Sequence, residues 1–157
     1  MRRFRIGALH IADLVQFVDL SRDYLGWYGD LEEHLGYTPG KFPNTLSGWF
    51  ELIHPDDRDR VRAEYDQFLA DSAEGWEFRY RIRAMDGTYR HLLDRGSFQS
   101  YVDGVPTEGI GGIIDETEQV VARQGLEDAL AEVAALKNRL QAESHYLQSE
   151  IASRSGF

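Results

Sequence analysis

The residues most able to support chemistry in this chain are five histidines and many carboxylates. The densest grouping is His54, Pro55, Asp56 and Asp57, which could supply metal ligands. A divalent-metal site usually needs three or four converging groups, and no further ligand is spaced to complete one. A proline followed by two aspartates is also typical of the first turn of a helix, where the carboxylates face the positive end of the dipole. We therefore interpret this segment as a helix start and expect no metal site.

The other histidines are scattered along the chain. His10, His34, His91 and His145 have no nucleophile or carboxylate at an informative spacing, so no Ser-His-Asp relay stands out. We expect a protein without enzymatic activity, and a small hydrolase is the least favoured alternative.

Size and composition limit the classes of function. The chain has 157 residues with 42% hydrophobic and 12% aromatic content, which is enough for one domain with a real core plus an extension. The net charge of −10 argues against direct nucleic-acid binding and against an anionic membrane surface, since both need concentrated Lys and Arg.

The chain contains no cysteine, which excludes disulfides, thiolate nucleophiles and cysteine-linked chromophores. It also has no apolar run of the roughly twenty residues that a membrane helix needs and no apolar signal-peptide core. We expect a soluble protein of the cytoplasm.

The elements that would position any site begin with a weak helical pattern at Gly7 to Val15. Strand-like residues follow from Gln16 to Tyr28, broken by a turn at Ser21-Arg22-Asp23. This pattern predicts the first two strands, paired as a hairpin.

Short helices are predicted next. Asp30 can cap a helix that ends at Gly36, and Ser47 can cap a turn that runs to Ile53. The helix that starts at Pro55 has one apolar face, formed by Val61, Tyr65, Phe68 and Leu69.

Three further strands are predicted in the second half. From Trp76 to Arg83 apolar and charged residues alternate, as in a strand with one buried face. Asp86-Gly87 is expected to form a type I′ turn, Tyr89 to Tyr101 the next strand, Asp103-Gly104 another turn, and Thr107 to Ile114 the last strand. The predicted fold class is α+β, a five-stranded antiparallel sheet with helices inserted between strands 2 and 3.

These segments together resemble a PAS domain, in the sensory branch with the pattern HPDDR, strand residues before DG, and then G…D-x-T. The matching residues are His54 to Arg58, Phe78 to Arg83, Asp86-Gly87, Gly111-Gly112 and Asp115-Glu116-Thr117, and Leu35 to Thr38 is similar to the family's LGY segment. Two positions depart from the pattern: His91 stands where many relatives have Trp, and Glu116 replaces an apolar residue.

The resemblance implies a ligand pocket between the sheet and the inserted helices. The expected lining residues are Trp49, Phe50, Tyr65, Phe68, Tyr80, His91, Leu93 and Ile113. Haem-binding relatives use a histidine in the helix that here spans Pro55 to Ala70, which contains none, so haem is disfavoured. Flavin chemistry through a cysteine adduct is excluded, whereas a non-covalent flavin or a small metabolite stays compatible.

The end of the last strand carries a capping signal. Asp115 or Thr117 can accept hydrogen bonds from the free N–H groups of the following helix and so fix the direction in which it leaves the sheet. We expect these two residues to couple the sheet to the helix.

A heptad pattern follows the sheet. Leu126, Val133, Leu140 and Leu147 recur every seven residues, with Ala129 and Leu136 at companion positions, which predicts a coiled coil in a homodimer. A helix that packs on its own sheet is the alternative, and the sequence leaves parallel or antiparallel pairing open.

The predicted organisation is an N-terminal extension at 1–14, a PAS sensory domain at 15–117, and a coiled-coil signalling helix with a frayed end at 118–157. Residues 131–151 look like the linker that precedes the ATPase domain of sigma-54-dependent transcription activators. The expected function is therefore a sensor that binds a small ligand or partner and acts on a missing C-terminal effector. A sensor-kinase module and a ligand-free dimerisation scaffold are the alternatives.

Overall fold

One antiparallel sheet organises the computed structural model, which describes residues 12–155. Its strands are β1 (Leu14–Asp19), β2 (Tyr24–Gly29), β3 (Gly75–Arg83), β4 (Tyr89–Val102) and β5 (Val105–Asp115). They lie in the order β2-β1-β5-β4-β3, so the two halves of the sheet meet where β1 pairs with β5. The predicted five-stranded antiparallel sheet is confirmed.

Four helices complete the described residues: α1 (Leu31–Leu35), α2 (Leu46–Leu52), α3 (Pro55–Ala70) and α4 (Thr117–Ser155). The first three are inserted between β2 and β3, as expected. The predicted leading helix is wrong at its end, because Leu14 and Val15 belong to β1 and pair with Gly29 and Tyr28. Its part at residues 7–11 lies outside the described residues.

The helix ends follow local capping chemistry. The Asp30 side chain accepts a 2.9 Å hydrogen bond from the Glu33 N–H, and Gly36 ends α1 at a φ of 77°. Thr45, and not Ser47 as predicted, caps α2, because the helix starts one position before Ser47. The Thr45 hydroxyl accepts from the Gly48 N–H at 3.1 Å.

The start of α3 confirms the interpretation of His54 as part of a helix cap. His54 Nδ1 accepts a hydrogen bond from the Asp56 N–H at 3.1 Å, and Pro55 is the first helical residue. Asp57 bonds the Arg81 guanidinium at 2.9 and 3.0 Å. Hydrogen bonding to Arg81 lowers the pKa of Asp57, so this pair ties α3 to β3.

The two Asp-Gly turns differ from each other. Asp103 and Gly104 both have positive φ, at 50° and 77°, as a type I′ turn requires. In the β3–β4 loop Gly87 has a φ of 86° whereas Asp86 keeps a negative value. The expected type I′ turn at Asp86-Gly87 is therefore wrong, because the loop from 84 to 88 is longer and needs only one left-handed residue.

The core lies between one face of the sheet and the inserted helices. Leu14, Leu25, Ile53, Ile82 and Ile113 are each at most 2% exposed. Contacts divide the chain into two units, Met1–Thr117 and Glu118–Phe157. The described residues of α4 include none that is buried.

Candidate functional site

A small cavity lies between the inner face of the sheet and the helices α2 and α3. Its volume is about 30 Å³, and it is lined by Gln16, Val18, Leu20, Leu46, Trp49, Tyr65, Phe68, Leu69, Trp76, Phe78, Asp94 and Phe98. A space of this size holds only a few non-hydrogen atoms. The cavity as it stands fits neither a flavin nor a haem ring.

The polar feature of the cavity is Asp94, which is 1% exposed. Its carboxylate accepts hydrogen bonds from Trp76 Nε1 at 2.8 Å and from the Tyr80 hydroxyl at 2.7 Å. The Tyr80 oxygen in turn accepts from Trp49 Nε1 at 3.1 Å. Two tryptophans and a tyrosine are therefore fixed around one buried carboxylate.

Gln16 extends this network to β1 and β2. With its amide oriented to satisfy both neighbours, the nitrogen donates to Asp94 at 2.7 Å and the oxygen accepts from Trp27 Nε1 at 3.2 Å. Hydrogen bonds thus connect side chains of β2, β1, β4, β3 and α2.

Burial sets the protonation chemistry of this network. It raises the pKa of Asp94 to about 6, against the opposing effect of the hydrogen bonds from Trp76, Tyr80 and Gln16. Burial also raises the pKa of Tyr80 well above its ordinary value, and the nearby Asp94 charge adds to that shift. At neutral pH the cavity therefore contains a carboxylate that is mostly ionised and a neutral phenol.

A platform of three glycines positions Trp76. A Cβ atom placed on Gly96, Gly109 or Gly111 would lie 2.3, 2.6 or 2.8 Å from the Trp76 indole ring. The ring of this β3 residue therefore lies across β4 and β5, in space that side chains would otherwise occupy. This placement brings Nε1 to Asp94.

The structure brings some of the predicted pocket residues together. Trp49, Tyr65 and Phe68 line the cavity. Phe50 is not a lining residue, but it contacts two of them, Trp49 and Tyr65, with ring centroids 4.8 and 6.2 Å apart. Tyr80 is not a lining residue, but its hydroxyl group donates a hydrogen bond to Asp94.

The other three expected residues lie away from the cavity. Ile113 is buried in the core but is not among the lining residues. His91 and Leu93, which were expected to line the pocket, are not lining residues either. The reason is that side chains alternate along β4 and Asp94 faces the cavity. Both therefore lie on the opposite face of the sheet, where Leu93 pairs with Arg79 and Ile114.

The central residues of the site, Gln16, Trp76 and Asp94, were missed by the sequence reasoning. Their signal was present, because Leu92, Asp94 and Phe98 share one face of a strand by period-two counting. A charged residue on that apolar face stands out, as does Gln16 between Leu14 and Val18.

The junction between β5 and α4 lies beside the first residues of β4. Asp115 accepts hydrogen bonds from the Thr117 N–H at 3.0 Å and from its hydroxyl. The Arg90 guanidinium donates to Asp115 at 2.8 and 2.9 Å. Thr117 Oγ1 accepts from the His91 N–H at 2.9 Å, so β4 holds both residues of the D-x-T motif.

The departure at Glu116 has a structural explanation. Its carboxylate lies 3.4 Å from Arg79 Nε on β3, and its N–H donates to the His91 carbonyl at 2.8 Å. An acidic residue at this position therefore adds a contact from the helix start to the sheet.

Residues 12–155 contain no group of three or more histidine, aspartate or glutamate side chains arranged to hold a metal ion. No helix in this part of the chain is long and apolar enough to span a membrane.

A five-stranded antiparallel sheet with helices inserted after its second strand, and a cavity between them, defines the PAS fold. The PAS fold family model matches residues 24–113, more than half of the chain. The chain therefore belongs to the PAS family.

A known protein with a similar sequence is a sensor. The chain is 31% identical over 111 residues to the methyl sulfide methyltransferase-associated sensor of Methanosarcina acetivorans, a match that covers 68% of this chain. The match covers 11% of that protein, so the chain spans about a tenth of its length.

Solved structures are consistent with membership of the PAS family. A sensory box histidine kinase/response regulator from Burkholderia thailandensis is 25% identical with a TM-score of 0.67, and the match covers 84% of this chain and 98% of that one. The N-terminal domain of a diguanylate cyclase with a PAS/PAC sensor from Marinobacter aquaeolei is 20% identical with a TM-score of 0.59, covering 68% and 96%. Sensory PAS modules of this kind occur in signal-transduction proteins such as these.

Proposed function

We propose that this chain is the sensory module of a cytoplasmic signal-transduction regulator. A small ligand or partner changes the cavity, and the sheet transmits the change to α4 and from there to an effector domain. The observation that carries the proposal is that one strand, β4, contributes both Asp94 to the cavity and Arg90 and His91 to the junction.

The connection along β4 is short. Asp94 lies three residues after His91, about 10 Å along an extended strand. A shift of β4 at the cavity therefore changes the hydrogen bonds that hold Asp115 and Thr117. A ligand in the cavity could then favour one position of the helix start over another. A switch requires such a difference in affinity between two states.

We also propose that α4 pairs with α4 of a second copy. Leu126, Val133, Leu140 and Leu147 are between 55 and 64% exposed in the single chain, Leu136 is 46% exposed, and Ala129 is exposed. A stripe of this kind is buried when two helices form a coiled coil. In a parallel pair, Glu132 would lie near Lys137 of the second copy, which favours this register modestly.

The effector we favour is the ATPase of a sigma-54-dependent transcription activator, because residues 131–151 are similar to the linker that precedes it. The histidine kinase among the similar structures favours a kinase effector as the second candidate. The coding sequence after Phe157 separates the two: an ATPase phosphate loop supports the activator, and a helix with a phospho-accepting histidine supports the kinase.

A ligand-free dimerisation scaffold is the competing function, and the small volume of the cavity favours it. Native mass spectrometry of the protein purified from its host distinguishes the two. A reproducible bound small molecule supports sensing, whereas a persistently empty cavity supports the scaffold.

Hydrogen exchange then tests transmission. Removal of the bound molecule should change the exchange of amides at 115–124, because β4 connects the cavity to that segment. Binding that leaves these amides unchanged contradicts transmission through the junction.

A further inference from the structure

The cavity combines a buried carboxylate with aromatic walls. Asp94 is 1% exposed and faces the cavity. Half of the lining side chains are aromatic: Trp49, Tyr65, Phe68, Trp76, Phe78 and Phe98. The cavity therefore places a negative charge among aromatic rings.

Within the described residues, Asp94 has hydrogen-bond donors but no cationic partner. Trp76, Tyr80 and Gln16 are all neutral donors, and Asp94 is in none of the ion pairs found among residues 12–155. Buried carboxylates are normally paired with a cation or lose their charge. The three bonds also leave about one of the roughly four acceptor positions of the carboxylate free.

The aromatic walls suit the same kind of ligand. The face of an aromatic ring is negative and attracts a cation within about 6 Å of its centroid. Among the lining rings, Trp76 and Phe98 have centroids 5.0 Å apart, and Phe68 and Phe78 have centroids 5.2 Å apart. A cation in the cavity would therefore lie among aromatic rings as well as beside the carboxylate.

Charged side chains of both signs lie near Tyr65, a half-buried lining residue, and the acidic ones are in excess. Asp23 accepts a 3.1 Å hydrogen bond from the N–H of Leu46, a lining residue. Burial raises the pKa of Tyr65, and the charges of Asp66 and Asp23 add to that shift while Arg62 opposes it. With a net charge of −10 on the chain, the local potential favours the approach of a cation.

We propose that the cavity binds a small organic cation of the methylated ammonium class, with Asp94 as its counter-ion and the surrounding rings as cation–π partners. The inference rests on the proposed sensory function, since it names the ligand class for that site. A neutral ligand of the same size would leave the buried charge without a partner. The volume of about 30 Å³ restricts the ligand to a few non-hydrogen atoms unless the half-buried Tyr65 and Phe68 move outward.

Isothermal titration calorimetry with the full chain tests this directly. The probes are the chlorides of methylammonium through tetramethylammonium, and the neutral controls are isopropanol and tert-butanol, all at constant ionic strength. At least one cation should bind one-to-one with a Kd at least tenfold lower than that of either alcohol.

Variants assign the binding to the cavity. Asp94→Asn keeps the size of the side chain and should weaken cation binding at least tenfold. Asp103→Asn removes the same charge from the exposed β4–β5 turn and should leave the Kd unchanged. Phe68→Leu removes one lining ring and should weaken cation binding between two- and tenfold.

The pH profile gives a second readout. Tetramethylammonium has a permanent charge, so its affinity should fall toward tenfold per pH unit below about 6, where Asp94 takes up a proton. Of the side chains around Asp94, Tyr80 and Tyr65 have raised pKa values and stay neutral, and Gln16 and Trp76 do not titrate in this range. The profile of Asp94→Asn should be flat.

Three outcomes overturn the inference: alcohols that bind as tightly as the cations, cation binding that Asp94→Asn leaves unchanged, or no cation binding. None of them removes the sensory function, which mass spectrometry and hydrogen exchange at 115–124 test separately. If Asp94→Asn fails to fold, the wild-type pH profile and Phe68→Leu decide the question.

Discussion

At the scale of single residues, Asp94 gives the stability of the protein an unusual pH dependence. Burial raises its pKa from 3.8 to about 6, so between these values the folded state binds more protons than the unfolded state. The stabilisation by the protonated acid is complete below pH 3.8 and is lost as the pH rises through about 6. The shift corresponds to about 3 kcal/mol.

We therefore expect the free energy of unfolding of wild type, relative to Asp94→Asn, to fall by about 2 kcal/mol from pH 4 to pH 7, since part of the full effect is already lost at pH 4. The comparison is necessary because Asp57 has a lowered pKa and favours folding at higher pH. Urea unfolding at each pH measures the difference. A constant difference would show that Asp94 is not desolvated in the folded protein.

The glycine platform makes a second prediction at this scale. In Gly109→Ala the new methyl group would meet the Trp76 ring at 2.6 Å, and we expect a loss of about 1–3 kcal/mol in urea unfolding. The matched control is Gly125→Ala, where a Cβ has open space and a helical position favours alanine. In a Trp76→Phe background, Gly109→Ala should lower the free energy of unfolding by less. An equally large loss would show that the new methyl group is not strained against the Trp76 ring.

At the scale of elements, the β5–α4 junction depends on one hydroxyl group. Thr117→Val keeps the shape of the side chain but removes the acceptor of the His91 N–H and one donor to Asp115. We expect a loss of about 1 kcal/mol and faster hydrogen exchange at His91 and residues 117–120. Thr107→Val, at a strand position away from the junction, is the control. If both variants changed stability and hydrogen exchange equally, the hydroxyl group of Thr117 would not be specifically important for the junction.

The apolar stripe of α4 makes the second prediction for an element. Leu136→Glu combined with Leu140→Glu places charges at two seam positions, and we expect the dimer to dissociate to monomer in analytical ultracentrifugation because buried like charges are costly. Asn138→Glu, at an f position away from the seam and from the e and g positions beside it, is the control and should stay dimeric. A dimer that survives the double substitution removes the coiled coil from the mechanism.

Sequence patterns predicted the elements well wherever local chemistry decides them. The alternation at Trp76 to Arg83 and the Asp30 and Gly36 helix ends follow from side-chain period and capping, and both are confirmed. The cavity was harder to predict, because its key contacts join residues far apart in the chain. No local pattern shows that a β3 indole lies over glycines of β4 and β5, and this packing brings Trp76 to Asp94.

At the scale of the whole molecule, the buried residues of the described chain all lie before Thr117. We therefore expect a variant that ends at Thr117 to keep its near-ultraviolet circular dichroism and to unfold cooperatively, while losing the ability to dimerise. Thermal unfolding at low protein concentration measures this. Loss of cooperative unfolding would mean that α4 contributes to the fold of the sheet unit.

The hydrogen bonds around the cavity have an optical consequence. The chain has three tryptophans, and the Nε1 groups of Trp27, Trp49 and Trp76 all donate to Gln16, Tyr80 or Asp94. Every indole therefore lies within two hydrogen bonds of the same carboxylate. Tryptophan emission from the native protein comes from this neighbourhood alone, so its wavelength and intensity can report the state of the cavity without any attached dye.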